Sequence, residues 1–252
     1  MKSISTRQII TILATIITIT VNALASLLPL NGQDTGQISD RFNILFVPDG
    51  YVFAIWGIIY LGLLLYTIYQ ALPSQRDNPT LNTIAPLYWL SSLANSIWIF
   101  LWHYEFFLIT PIAMLTILVS LVLIYTHLSK SRPVSNTAQK GFVLLPFSIY
   151  LGWISVATVA NITQVLFFIN WGGWGITPEV WAVIMLVVAT ILGILMHWRE
   201  KDIAYGLVLI WAFIGIAVKQ AGFPLVATTA WVTSVVLALS TVALPFLKKS
   251  SS

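Results

Sequence analysis

Cysteine is absent from the 252 residues, which excludes disulfides, thiolate catalysis and cysteine-ligated metals. Charge is scarce as well: Asp, Glu, Lys and Arg together make up 8% of the chain, against about 25% in a soluble domain. The three histidines, His103, His127 and His197, stand apart at the ends of apolar runs. That spacing removes a three-histidine metal centre and leaves no haem-ligating pair inside a membrane. No carboxylate lies in the middle of an apolar run, so an embedded proton relay has no acid to work with. Lys219, the one lysine on the outer side of the last three runs, lacks a mid-span counter-ion and reads as a snorkelling cation. Nothing resembles an acid–base pair, a nucleophile with its base, or a phosphate loop, so no enzyme activity is expected. The net charge of +4 fits loops at a membrane surface, and no nucleic-acid partner is implied.

What the chain has is hydrophobic length. Apolar residues make up 58% of it, and the mean hydropathy is +0.91. Runs of about 20 residues, long enough to span a bilayer, fall near 8–30, 51–72, 81–102, 105–128, 141–169, 178–197, 203–220 and 223–247. The sequence therefore predicts an all-α polytopic membrane helix bundle of eight transmembrane helices. Lys2 and Arg7 before the first run, and Ala23-Leu24-Ala25 within it, imitate a signal peptide, but the apolar run continues through Leu30 and suits an uncleaved span.

Positive charge orients the layout. With the N-terminus inside, the inner segments hold Lys2, Arg7, Arg76, Lys130, Arg132, Lys140, Arg199, Lys201, Lys248 and Lys249, and the outer ones only Arg41 and Lys219. This bias puts both termini in the cytoplasm. Short loops and the lack of a transit peptide before the first run favour a bacterial inner membrane. Thr177-Pro178-Glu179 and Asn78-Pro79 read as helix starts. The longest connection, Asn31 to Gly50, is long enough to fold over the mouth of a bundle. Trp171-Gly172-Gly173-Trp174-Gly175 reads as an outer loop with tryptophans at headgroup level. Polar residues within the spans thin out near residue 170, which predicts a five-helix core over 1–170 and a three-helix extension over 171–252.

The stretch Pro146–Asn161 is the most informative. At helical spacing Pro146, Tyr150, Trp153, Ala157 and Asn161 share one face. An unpaired amide in hydrocarbon costs several kcal/mol, so Asn161 directs that face inward. Tyr51, Phe53 and Trp56 fall at the outer end of the second run, and Asn95, Trp98 and Trp102 in the outer third of the third. Aromatics and amides from separate helices thus share the outer half beneath the long loop. The competing readings are that Asn95 and Asn161 are interhelical glue and that Trp98 and Trp102 are interface anchors. Trp153 is too deep for the latter.

Tyr150-Leu-Gly-Trp153-Ile-Ser-Val-Ala157-Thr158-Val-Ala-Asn161 resembles the fifth-helix signature of the TspO/MBR family, the tryptophan-rich sensory or translocator proteins. Leu93-Ala-Asn95-Ser-Ile-Trp98 is similar to its third-helix motif, and Val52-Phe53-Ala-Ile-Trp56-Gly-Ile-Ile-Tyr60 to its second. The resemblance covers about residues 8–170. It implies a five-helix bundle that binds tetrapyrroles or sterol-like molecules, lined here by Tyr51, Phe53, Trp56, Asn95, Trp98, Tyr150, Trp153, Ala157 and Asn161. The second helix lacks the family proline, Tyr51 stands for its first tryptophan, and no tryptophan follows Asn161. The expected function is binding, and sensing or moving, a flat hydrophobic ligand such as a porphyrin, with no required cofactor and no metal. Expected partners are the lipid bilayer, that ligand and a second copy in a homodimer. The alternatives are a secondary transporter, marked by helix breaks at Gly57, Gly62 or Gly152, and an assembly subunit of a membrane complex.

Overall fold

The computed structural model describes residues 4–28, 30–130 and 137–247. Lys2, Arg132, Lys248 and Lys249, used above for orientation, lie outside the described residues. Among those described, helices α1 Thr6–Leu27, α2 Thr35–Asp40, α3 Ile55–Ala71, α4 Pro79–His103, α5 Thr110–Lys130, α6 Leu145–Phe168, α7 Pro178–Leu195, α8 Ile203–Lys219 and α9 Pro224–Leu247 follow one another with no strand. Apart from the short α2, they stand where the sequence placed its eight apolar runs. Seven helical stretches are long and apolar enough to cross a membrane, and α8 is the shorter, equally apolar eighth. At 1.5 Å per residue its 17 residues extend about 25 Å. This is an all-α polytopic membrane protein. Gly57, Gly62 and Gly152 lie inside uninterrupted helices.

Local chemistry sets the helix starts. Asn78 accepts from the backbone amides of Thr80 and Leu81, with Pro79 at the first helical position. Thr177 caps α7 ahead of Pro178. Ser5 and Gln8 form a capping box on α1, as Asp34 and Gln37 do on α2.

The contacts divide the chain into two units: residues up to Arg41 with Trp56–Ile154, and Phe42–Ile55 with Ser155 onward. In the first unit, α1 is inverted relative to a soluble amphipathic helix. Its buried residues are Gln8, Thr11, Thr15, Thr18, Asn22 and Ala25, while Ile9, Leu13, Ile16, Ile17 and Leu24 are exposed. Each polar group on the buried face has a partner. Gln8 donates to the carbonyls of Gln70 (2.9 Å) and Leu72 (3.1 Å), and the Trp89 indole donates to the Thr11 hydroxyl at 2.9 Å. The Thr15 hydroxyl lies 2.7 Å from that of Thr67 and 2.6 Å from that of Tyr88. Thr18 reaches the Ser92 carbonyl, and Asn22 donates to Asn95 Oδ1 at 2.6 Å. Gln8 to Asn22 spans about 21 Å of helix, so this polar seam runs most of the length of α1. Hydrogen bonding, not apolar burial, docks α1, because hydrocarbon outside offers those groups nothing. Below the seam Tyr66, Tyr88 and Phe147 pack edge to face, with centroids 5.0–5.8 Å apart. Gly62 lets α3 approach α6 closely: a Cβ there would lie 3.1 Å from Cβ of Pro146.

In the second unit, Phe42–Ile55 is strapped along α8. Asp49 N donates to the Gly215 carbonyl, the Trp211 indole to the Val52 carbonyl at 3.0 Å, and the Gln220 amide to the Ile44 carbonyl. Gly215 is required, since any Cβ would collide with Val52. The end of α7 widens into a π-helical segment, Met196–Glu200, which carries the fully buried His197. Its ring nitrogens meet the hydroxyls of Ser240 and Thr241 on α9. Gly206 on α8 leaves room for that ring. Trp171 and Trp174, on the loop before α7, cluster with Trp181 of α7, with centroids 5.3–5.9 Å apart, and Trp174 is 80% exposed.

Candidate functional site

The expected aromatics of the first unit do converge. Trp56, at the start of α3, stacks on Tyr60 at 5.5 Å and 20°, one turn along the same helix. From α6, Tyr150 and Trp153 meet Trp56 edge-on at 65° and 82°, with centroids at 6.0 and 6.3 Å. Tyr150 and Trp153 are buried, whereas Trp56 and Tyr60 are half-buried. The group therefore has one flank of indole and phenol that is not closed off.

Asn95 links this cluster to α1. Its Nδ2 donates to the Tyr150 hydroxyl at 3.2 Å, and its Oδ1 accepts from Asn22, with the side chain 1% exposed. Among the described residues one N–H and one acceptor direction remain on the amide. The interhelical-glue reading thus describes most of what Asn95 does, and its hold on Tyr150 fixes that ring beside Trp56.

One turn beyond Asn95, Trp98 stacks on Trp102 at 5.3 Å and 14°. Trp102 is buried, not an interface anchor. Its indole donates to the Thr35 carbonyl at 3.3 Å, and its ring meets the edge of Phe107. Trp98 is 8% exposed, and its Nε1 has no hydrogen-bond partner among the described residues.

The first half of the long loop is tied to the end of α4. His103, 1% exposed, lies with Nδ1 3.0 Å from the Leu30 carbonyl and Nε2 3.1 Å from the Thr35 hydroxyl. A carbonyl only accepts, so Nδ1 carries the proton, and in the neutral ring Nε2 accepts from Thr35. Asn31 donates to the His103 carbonyl at 3.0 Å. Arg41 pairs with Glu105 at 2.7 Å and lies 5.9 Å above the Phe107 ring. Both ion-pair partners are well exposed, so that bridge contributes at most about 1 kcal/mol. The buried histidine is the firmer tie.

The remaining predicted residues belong to the second unit. Tyr51 is 45% exposed and packs edge-on against Trp211 at 5.5 Å. Phe53 is half-buried. Ala157, half-buried, and Asn161, 2% exposed, continue the Trp153 face along α6. Sequence reasoning missed Asn22, Tyr60 and His103. For Asn22 a signal was available: Gln8, Thr11, Thr15, Thr18 and Asn22 recur every three or four residues.

A helical integral membrane protein whose polar seam positions a buried tryptophan and tyrosine cluster is the class that this fold and cluster define. The chain belongs to the TSPO-like protein family, whose model matches residues 8–243. The match takes in the last three helices as well as the stretch whose motifs carry the resemblance. No curated protein and no solved structure matches the chain.

Proposed function

We propose that the protein binds a flat hydrophobic molecule of the tetrapyrrole type, against the aromatic surfaces of Trp56, Trp98 and Trp153. The observation that carries this reading is the stacked Trp98–Trp102 pair, whose Trp98 indole N–H has no partner among the described residues. A buried indole donor usually finds an acceptor, and a porphyrin supplies both a π-face and peripheral carboxylates. In this reading Tyr150 orients the Trp56 ring and Asn95 acts through Tyr150. The family resemblance also implies ligand contact for Tyr51, Phe53, Ala157 and Asn161 of the second unit. The membrane orientation, with both termini in the cytoplasm of a bacterial cell, belongs to the same proposal and rests on the positive-inside bias.

The test is a titration of purified protein with protoporphyrin, read by quenching of tryptophan emission. The expected dissociation constant is about 1 µM or lower, or −8 kcal/mol. Replacing Trp153 with Leu is expected to weaken binding by roughly 1 kcal/mol or more through lost ring contact. Trp231→Leu, at a residue 47% exposed on α9, is expected to change little. Equal losses in both variants would reduce the signal to partitioning into detergent and overturn the reading.

A further inference from the structure

Near the start of α1 lie four polar atoms that the polar seam leaves unused. Arg7 directs Nη2 to the carbonyls of Gln75 (2.7 Å) and Arg76 (3.3 Å) in the turn after α3. Its Nε and Nη1 are buried and have no hydrogen-bond partner among the described residues. The same holds for the Tyr66 hydroxyl and for Gln70 Oε1, which sit one turn apart on a single face of α3. Both side chains are 0% exposed.

These groups are held where they are. Gln70 Nε2 donates to the carbonyls of Gln8 and Thr67, and Gln8 donates back to the Gln70 carbonyl, fixing the Gln70 amide beside Gln8, the residue that follows Arg7. Tyr66 is wedged between Tyr88 and Phe147 and is an electrostatic neighbour of Arg7. Its hydroxyl cannot turn to solvent.

An unmade hydrogen bond on a buried group costs about 1–3 kcal/mol, and more on a charged one. Four together in one corner call for an occupant. The donor set decides its chemistry. Nε and Nη1 only donate, Gln70 Oε1 only accepts, and the Tyr66 hydroxyl does either. An anion would suit the guanidinium but would face the lone pairs of Gln70. Water accepts from Arg7 and donates to Gln70, and a buried water makes two to four such bonds. We propose that Arg7, Tyr66 and Gln70 form a binding site for internal water, one that hydrates a guanidinium in the first turn of a membrane helix.

The proposal separates cleanly from a dry corner by thermal denaturation of the full-length protein in detergent. Tyr66→Phe removes a hydroxyl with no hydrogen-bond partner among the described residues. If the corner is dry, its loss raises Tm. If water bridges it, Tm falls, and a drop of about 2–4 °C is expected for a chain of this length. Combining Tyr66→Phe with Gln70→Met is expected to lower Tm by less than the sum of the two single shifts, because both lose the same water. In ¹⁵N-labelled protein the Arg7 Nε–H resonance is expected to show a cross-peak to water that Tyr66→Phe weakens. This last measurement decides the matter even if Gln70→Met does not fold. A rise in Tm for Tyr66→Phe, additive shifts, or no water cross-peak would each overturn the proposal. So would a Tm that climbs when chloride replaces gluconate at constant ionic strength, which would assign the corner to an anion.

Discussion

Replacing Asn95 with leucine is the most decisive perturbation of the polar seam. The side chain accepts from Asn22 at 2.6 Å and donates to the Tyr150 hydroxyl at 3.2 Å, in a site 1% exposed. Hydrogen bonds between membrane helices average about 0.6 kcal/mol and reach about 1.7. Losing two of them, with leucine of similar volume filling the space, is expected to cost about 1–3 kcal/mol. Asn22 keeps its bond to the Thr18 carbonyl at 2.8 Å, so the larger share of the loss falls on Tyr150. For a chain of this size each kcal/mol corresponds to about 2–4 °C. The expected fall in Tm of the ligand-free protein in detergent is therefore roughly 2–12 °C. Asn22→Leu in the same background closes a double-mutant cycle, and a coupling of about 0.5 kcal/mol or more is expected from the direct contact. An unchanged ligand-free Tm for Asn95→Leu would refute this account. It would mean that the amide is reserved for a ligand and contributes nothing to the empty protein. Strict additivity in the cycle would equally deny that the 2.6 Å bond matters.

Two further outcomes are expected. Gly206→Ala drives a methyl group into the His197 ring and is expected to destabilise by about 1–3 kcal/mol by overpacking; His197→Ala is expected to recover part of that loss, and no recovery would show that the glycine serves the backbone instead. Reporter fusions after Lys130 and Lys249 are expected to read cytoplasmic and one after Asp49 external, as the charge distribution requires; a cytoplasmic signal after Asp49 would reverse the orientation.

The eight long helices were legible because each is a run of 17 to 25 residues whose composition hydrocarbon demands, and because residues such as Asn78 and Thr177 mark their starts. The Trp153 cluster was legible for a related reason, since Tyr150 and Trp153 recur at helical spacing on a helix that also carries Asn161. The buried face of α1 was not, because threonine hardly lowers hydropathy, and the partners of Thr15 and Asn22 come from elements more than 50 positions away. The strap at Phe42–Ile55 was hidden for the same reason: Trp211 reaches Val52 across 159 positions. A loop that short-range signals leave without structure is held by hydrogen bonds donated by Trp211 and Gln220 and by one that its own Asp49 amide donates to the Gly215 carbonyl. Trp102 looked like an interface anchor because it ends a span, yet it is buried and its indole donates to the Thr35 carbonyl.

The inverted face of α1 also bears on how the protein is made. The helix leaves the ribosome before the helices it docks on, and Asn95, the acceptor for Asn22, is 73 positions behind. At about 5–20 residues per second that is a delay of roughly 4–15 s. During it the polar face has no neighbour. The helix carries provisional partners of its own: Thr15 can hold the Thr11 carbonyl, Asn22 that of Thr18, and Ser26 that of Asn22, as they do in the finished protein. A nascent α1 thus leaves fewer donors bare while it waits, those of Gln8 and Thr18 being the ones whose partners come only from later segments. A chain that stalls before Tyr88 would lack the Ser92 and Asn95 acceptors that Thr18 and Asn22 meet in the finished protein.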